Sequence, residues 1–280
     1  MKHKILKTGL SIITFSCAFA NFSTVSAASE QDKIPEIMQP YTVIEYTSND
    51  DFKIIEGGFL SSNELNKVEN YLKKSELESQ TMLKNRFQDE QINTEYNLTE
   101  KISPVKGMEI TYASDGLIFS VKYPENVENP LKKESNKQAR GPILPPGVNL
   151  VRSWGSYPNK LYVDKSSNTI FGIGRATTFN DYKGQGEHIL KKGDVATKLA
   201  HDNCKLGISV SVISRGSAGK GSDVTKTMKK WDAGGMENAI VDIWKDGVQY
   251  WGYTYKKYLS LSGTTSIEHA NLDTKGNKLY

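Results

Sequence analysis

Two aspartates in the C-terminal half have neighbours that suit acid chemistry. Asp232 follows Trp231 and precedes an Ala-Gly-Gly run. An indole beside a carboxyl group can supply an apolar wall and a face for stacking a sugar ring, and glycine lets the backbone approach a bulky ligand closely. Asp242 lies within the apolar run 239–244. An ionised carboxylate there is costly unless it faces a cleft or accepts hydrogen bonds.

The chemistry that such a pair supports is cleavage of a glycosidic bond. A carboxyl group can protonate the leaving oxygen when burial or a neighbouring carboxylate raises its pKa. Two carboxylates allow hydrolysis, whereas one carboxyl acting first as acid and then as base allows an intramolecular lytic transglycosylation. A structural interpretation stands beside this one: Asp232 is then a turn residue, and Asp242 ties a loop by hydrogen bonds.

The elements that would hold these residues are short strands. Gly, Asn and Asp turns separate β-like runs, which predicts a small, mainly β barrel or sandwich. These runs cover residues 161–163, 169–173, 208–213, 239–243 and 258–262. Within 239–243, alternation places Ile240 and Asp242 on one face of the strand and Val241 and Ile243 on the other.

Four segments occur in an order that resembles the double-psi β-barrel family. They are Gly-Arg-Ala-Thr-Thr-Phe at 174–179, Lys-Gly-Asp-Val-Ala at 192–196, Ala-His-Asp-Asn-Cys-Lys-Leu-Gly-Ile-Ser-Val at 200–210, and Asp-Ala-Gly-Gly-Met-Glu-Asn-Ala-Ile-Val-Asp-Ile-Trp at 232–244. The chain looks most like the rare-lipoprotein-A-like, expansin-like and three-aspartate domains that act on bacterial or plant cell walls. The resemblance covers about residues 170–262 and implies a six-stranded barrel with a ligand groove.

The same resemblance implies which residues form the site. Its set is catalytic Asp232 and Asp242 with substrate-binding Thr177, Asp202, Trp231 and Trp251. Two departures from the family pattern are visible. Ile208 replaces the usual Thr, and Asp202 lies about two residues nearer to the Leu-Gly pair than the first family aspartate. Trp251 also has an alternative interpretation as a core residue.

Neither a metal site nor a cofactor is predicted. His188 and His201 lack a metal-ligand spacing, and the thiol of Cys204 alone is not a zinc site. A Gly-x-Ser-x-Gly nucleophile elbow does not occur, and the glycine pairs near residues 172 and 184 are turns rather than phosphate loops.

The N-terminus has the features of a secretory signal. Three lysines precede a mostly apolar stretch over residues 10–22, and a small-x-small sequence ends at Ala27. This pattern predicts a signal peptide over residues 1–27 and a secreted, extracellular or wall-associated protein. With an apolar stretch this short, no integral membrane segment is expected after signal removal. Cys204 then remains as a lone thiol that cannot form an internal disulfide.

Charge divides the rest of the chain. Residues 28–140 carry 14 Lys and Arg against 20 Asp and Glu, and residues 141–280 carry 19 against 12. We therefore predict an acidic α+β accessory domain or pro-region over 28–130, a linker over 131–149, and the basic barrel domain over 150–280. The accessory region would restrain the basic domain through charge, an effect that weakens at high salt. The alternative is an ordinary α+β module.

The accessory region shows its elements clearly. A helix is predicted from Ser61 or Ser62 to about Arg86, because a capping residue precedes Glu64 and apolar residues keep helical spacing. Strands are predicted at 41–46, 52–55, 108–112 and 117–123.

Three functions fit these features. The first is a secreted, metal-independent lytic transglycosylase or glycosidase acting on peptidoglycan. The second is a non-catalytic, expansin-like protein that binds or loosens an anionic wall polysaccharide, for which the basic half is electrostatically suited. The third is a toxin or protease-inhibitor-like barrel that binds a protein. The net charge of +4 is too small to suggest nucleic-acid binding, and a monomer is expected.

Overall fold

The fold is described from a computed structural model, which covers residues 34–87, 102–125, 127, 144–217 and 223–280. The predicted signal peptide and most of the predicted linker lie outside these residues, so the domain boundary near residue 140 stays a prediction. All the described residues fall within one compact unit, 33–280. Among them, no helix has the length and apolar character needed to cross a membrane.

The acidic half contains an antiparallel four-stranded sheet in the order β2-β1-β3-β4. Its strands are β1 (Val43–Tyr46), β2 (Phe52–Glu56), β3 (Glu109–Tyr112) and β4 (Ile118–Lys122). Alternate residues of these strands, including Ile44, Tyr46, Ile110 and Tyr112, form a buried core of their own. All four strands were predicted from the sequence, and the structure confirms them.

The predicted helix is also confirmed, as α1 (Ser62–Phe87). It begins with a capping box in which the Ser61 backbone N–H donates to Glu64 at 2.9 Å and the Glu64 N–H donates to the Ser61 hydroxyl. Its buried Leu83 packs with Tyr162, Phe171 and Ile173 from the basic half. The helix therefore contributes to a core that both halves of the chain share.

Three ion pairs join α1 to the basic half among the described residues, and one of them is Arg86 with Glu268 at 2.5 Å. Glu76 contacts the ammonium of Lys160 at 2.8 Å, and Glu78 contacts Arg215 at 2.9 Å. Lys160 is almost fully buried, so its pair is screened less than an exposed one. The Arg86–Glu268 pair has the opposite polarity to the other two, so these contacts do not follow net charge alone. That the acidic half restrains the basic half stays a prediction.

The basic half forms a nine-stranded sheet that curls into a half-barrel. Its strands are β5 (Val148–Trp154), β6 (Asn159–Asp164), β7 (Thr169–Gly174), β8 (Ala176–Phe179), β9 (Asp194–Lys198), β10 (Ser209–Arg215), β11 (Asp223–Gly234), β12 (Val241–Trp244) and β13 (Thr265–Ala270). They pair in the order β5-β6-β7-β13-β10-β11-β9-β12-β8. The pairs β9–β11 and β8–β12 are parallel and the others antiparallel. The prediction of a mainly β protein is confirmed.

One predicted strand is wrong. Residues 258–262 make a single bridge, Thr177 to Ser260, and otherwise form turns. Tyr258 has a φ of +61° and Gly263 a φ of +78°, which interrupts extended backbone at both ends of this segment. The last strand is β13 instead. It was missed because its sequence, Thr-Ser-Ile-Glu-His-Ala, is largely polar.

Candidate active site

The two aspartates lie in one register row that crosses four neighbouring strands. On β11, Asp232 is the register partner of Ala196 on β9, and Ala196 is also the partner of Asp242 on β12. Asp242 is in turn the partner of Thr177 on β8. Directly opposed residues in a sheet project to the same face. The row therefore brings together three of the six residues assigned from the sequence.

Alternation along β12 aims Asp242 away from the main core. Val241 and Ile243 are fully buried in the barrel core, so Asp242 between them projects from the opposite face. Two strand spacings, about 10 Å, separate the backbones of Asp232 and Asp242. Ala196 is the register partner between them, and it packs in a small apolar cluster with Met236 and Ala239.

Asp242 has the environment of an acid that holds its proton up to mildly acidic pH. Its Oδ1 atom is buried and has no hydrogen-bond partner among the residues that the structure describes. Burial raises the pKa of Asp242 to about 6, against the lowering effects of a hydrogen bond with the Thr177 side chain and of the Arg175 charge. The carboxylates of Asp181 and Asp232 raise it further.

Asp232, the second carboxyl group of the row, has a more open environment than Asp242. It is half-buried, and burial is the main cause that raises its pKa, with Asp181 adding to the effect. Backbone N–H groups of Ala233 and Gln185 and the charge of Lys230 act in the other direction. Two carboxyl groups of different burial can take different protonation states at one pH, which an acid–base pair requires.

A third carboxylate, Asp181, is one that sequence reasoning missed. It follows β8 by two residues, and its charge acts on both Asp232 and Asp242. The Trp244 indole, two residues beyond Asp242, donates to the Asp181 carbonyl at 2.9 Å and so holds this loop beside the row. The sequence feature that could have identified Asp181 was its position just after β8, the strand that carries Thr177.

The structure places the two predicted tryptophans differently. The Trp231 ring is half-buried and stacks on His188, with 4.1 Å between ring centroids and 12° between planes. One of its faces is thus already occupied. Trp251 is 0% exposed in the core, and its indole donates to the Val224 carbonyl at 2.8 Å. Of its two sequence interpretations, the core position is the one observed.

Asp202 lies in the interior, away from the register row. It is 1% exposed, and its Oδ2 atom is 3.0 Å from His269 Nε2. Asp202 therefore does not belong to the row formed by Asp232, Asp242 and Thr177. Asp202 was grouped with the site from the sequence as a substrate-binding residue, despite its departure from the family spacing.

A turn of the acidic half reaches the same region. Arg175, two residues before Thr177, is 0% exposed and receives a bidentate contact from Asp115, at 2.6 Å to Nε and 2.5 Å to Nη2. The neighbouring Ser114 accepts the backbone N–H of Ser260, the bridge partner of Thr177. The accessory sheet therefore supports the end of the row that carries Thr177.

Comparisons with protein-family models, curated proteins and solved structures found no match to this chain. The arrangement of carboxyl groups is thus the basis for assigning chemistry. It offers a buried acid, a second carboxylate in the same row and a third at its edge, which suits proton transfer to a leaving oxygen.

Proposed function

We propose that this protein is a secreted enzyme that cleaves the glycan strands of peptidoglycan by an Asp-dependent lytic transglycosylation. The observation that carries the proposal is Asp242, a carboxyl with a pKa raised to about 6, in one row with Asp232 and Thr177. The resemblance to wall-active domains supplies the substrate class. The parallel pairs β9–β11 and β8–β12 support the double-psi form of the barrel.

In the proposed reaction, Asp242 acts first as acid and then as base. Its protonated carboxyl donates to the glycosidic oxygen as the bond from that oxygen to the anomeric carbon breaks. The sugar's own C6 hydroxyl then attacks the anomeric carbon and returns its proton to Asp242. The products are an anhydro-sugar end and a free hydroxyl, and no water is consumed. The Asp232 carboxylate stabilises the positive charge that develops on the sugar ring.

The charge of the basic half supports an anionic wall polymer as the ligand. Residues 141–280 carry 19 Lys and Arg against 12 Asp and Glu, and such an excess attracts polyanions over long range. Export follows from the predicted signal peptide, which lies outside the described residues.

A binding-only, expansin-like function is the second candidate, and one surface feature favours it. Tyr250 is exposed, and the ammonium groups of Lys192 and Lys226 lie 4.8 and 5.3 Å from its ring centroid. An aromatic ring flanked by cations can hold a sugar and its acidic substituent without cleaving either.

Product analysis separates these functions. The purified protein is incubated with bacterial sacculi, and the soluble products are identified by mass spectrometry. We expect anhydro-sugar muropeptides, and at least about a 100-fold loss of them in Asp232→Asn, because a charge-stabilising carboxylate is removed. Asp223→Asn, an exposed aspartate at the far end of the same strand, is the matched control and should leave the products unchanged.

Other products would change the assignment. New reducing ends would indicate a hydrolase, and salt-sensitive co-sedimentation without products would indicate the binding function. Equal product yields from Asp232→Asn and the wild-type protein would contradict the proposed mechanism.

The pH dependence of the rate gives a separate prediction. Since the acid must be protonated, kcat/KM should fall as pH rises through about 6, the raised pKa of Asp242, and by about tenfold for each further pH increment of one. Initial rates of muropeptide release between pH 4.5 and 8.5 measure it. A rate that stays constant across this range would show that Asp242 is not the acid.

A further inference from the structure

We propose that Asp202, Cys204 and His269 form a buried binding site for a divalent metal ion of the zinc class. This site is separate from the register row of Asp232 and Asp242 and does not depend on the proposed function. Asp202 and Cys204 are two residues apart on the loop after β9, and His269 comes from β13. All three are buried.

The donor atoms are close enough to share one ion. One ligand atom from each residue lies within 4.8 Å of the others, and the shortest separation, from Asp202 Oδ2 to His269 Nε2, is 3.0 Å. With zinc–sulfur and zinc–nitrogen distances of about 2.3 and 2.0 Å, a tetrahedral ion holds two such donors about 3.5 Å apart. The donor atoms, which lie within 4.8 Å of one another, would therefore move together by at most about 1.3 Å on binding.

His269 is already oriented as a ligand. Its Nδ1 atom is 2.9 Å from the carbonyl oxygen of Ala270, and since a carbonyl only accepts, Nδ1 is the donor. This hydrogen bond fixes the ring and directs Nε2 towards the cluster. Metal-ligating histidines characteristically hold their second ring nitrogen in this way.

Asp202 offers a fourth donor atom. Its Oδ1 atom is buried and has no hydrogen-bond partner among the described residues, although the side chain is only 1% exposed. An unpaired buried oxygen is unfavourable without a ligand. Bidentate coordination would use both oxygens, so that Asp202, Cys204 and His269 supply two oxygens, one sulfur and one nitrogen.

The charges of the cluster allow a divalent ion. Binding replaces two protons, one on Cys204 Sγ and one on His269 Nε2, by one doubly charged ion, so the net charge is unchanged. The ammonium of buried Lys230 donates to the backbone carbonyl of Cys204 at 2.7 Å. A donor set of thiolate, imidazole and carboxylate selects zinc or cobalt over magnesium or calcium.

Metal titration of the chelator-treated full chain tests the proposal. We expect one equivalent of Zn(II) to bind and to raise Tm. Co(II) should give a thiolate-to-cobalt charge-transfer band that Cys204→Ser lacks, with binding at least about tenfold weaker in His269→Gln. His188→Gln removes another His–Asp pair, since His188 Nε2 is 2.9 Å from Asp194, and should bind as the wild-type protein does.

A measurement on the unaltered protein covers the case in which Cys204→Ser does not fold. X-ray absorption of the zinc-loaded chain should show one sulfur and one imidazole nitrogen in the zinc coordination shell. A shell without sulfur would overturn the proposal, as would the absence of stoichiometric binding by the wild-type protein. The cluster would then be a metal-free network of buried hydrogen bonds.

Discussion

Asp242→Asn is expected to make the protein more stable at neutral pH while removing the proposed wall-cleaving activity. Burial raises the pKa of Asp242 from 3.8 to about 6. Each pKa increment of one in the folded state means that the ionised form is disfavoured by about 1.4 kcal/mol relative to the protonated form. The ionised carboxylate thus destabilises the fold by about 2–3 kcal/mol at pH 7.5, and the neutral amide avoids this. The activity should fall at least about 100-fold, because an amide cannot donate the proton.

The stability difference should depend on pH in a defined direction. The folded-state pKa of Asp242 is above its unfolded value, so the folded protein binds the proton more tightly. The wild-type protein therefore gains stability as pH falls from about 6 to about 4, and Asp242→Asn does not. The gap between them is largest above about pH 7 and closes below about pH 4.

Urea denaturation of both proteins at pH 4, 6 and 7.5 measures this gap. Asp223→Asn, on an exposed part of β11, is the control and should change the free energy of unfolding by less than about 0.5 kcal/mol. If Asp242→Asn were the less stable protein at pH 7.5, the carboxylate would be making favourable contacts as an anion. Its assignment as the acid would then be wrong.

The local part of the site could be predicted from the sequence. Asp242 lies between Val241 and Ile243, which face the core, and strand alternation places its side chain on the opposite face. Asp232 was identified by its neighbours, an indole and a pair of glycines. Both inferences use residues within a few positions of each other, over which backbone geometry is determined by the chain itself.

The non-local part required the fold. Which strands lie side by side depends on pairing between segments that are far apart in sequence, such as Thr177 with Asp242 and Thr169 with Ala270, and periodicity carries no such information. Asp202 and Trp251 were grouped with the site, but their surroundings come from β13 and β11. Asp181 was overlooked because a loop aspartate has no pattern of its own.

The contact between the acidic and basic halves could also not be predicted in detail from the sequence. Net charge predicted attraction in general, but the structure shows specific pairs between the halves, and the most buried of these among the described residues is Asp115 with Arg175. The guanidinium also donates to the carbonyls of Ile118 and Asn238, each at 3.1 Å. Arg175 thereby connects the accessory sheet, the strand of Thr177 and the segment before β12. Its charge lowers the pKa of Asp242, so this contact also bears on the acid.

Asp115→Ala is accordingly expected to destabilise the protein by about 3–5 kcal/mol, because it leaves the fully buried Arg175 charge without its counter-ion. Glu45→Ala, which breaks the exposed Lys53–Glu45 pair, is the matched control and should cost less than about 1 kcal/mol.

Where Asp115→Ala remains folded, the unbalanced Arg175 charge should favour ionised Asp242 and move the midpoint of the pH–rate profile below that of the wild-type protein. Urea denaturation and the muropeptide assay measure the two effects. Equal stability losses in Asp115→Ala and Glu45→Ala would show that the buried pair does not hold the halves together, and an unchanged midpoint would show that Arg175 does not act on the acid.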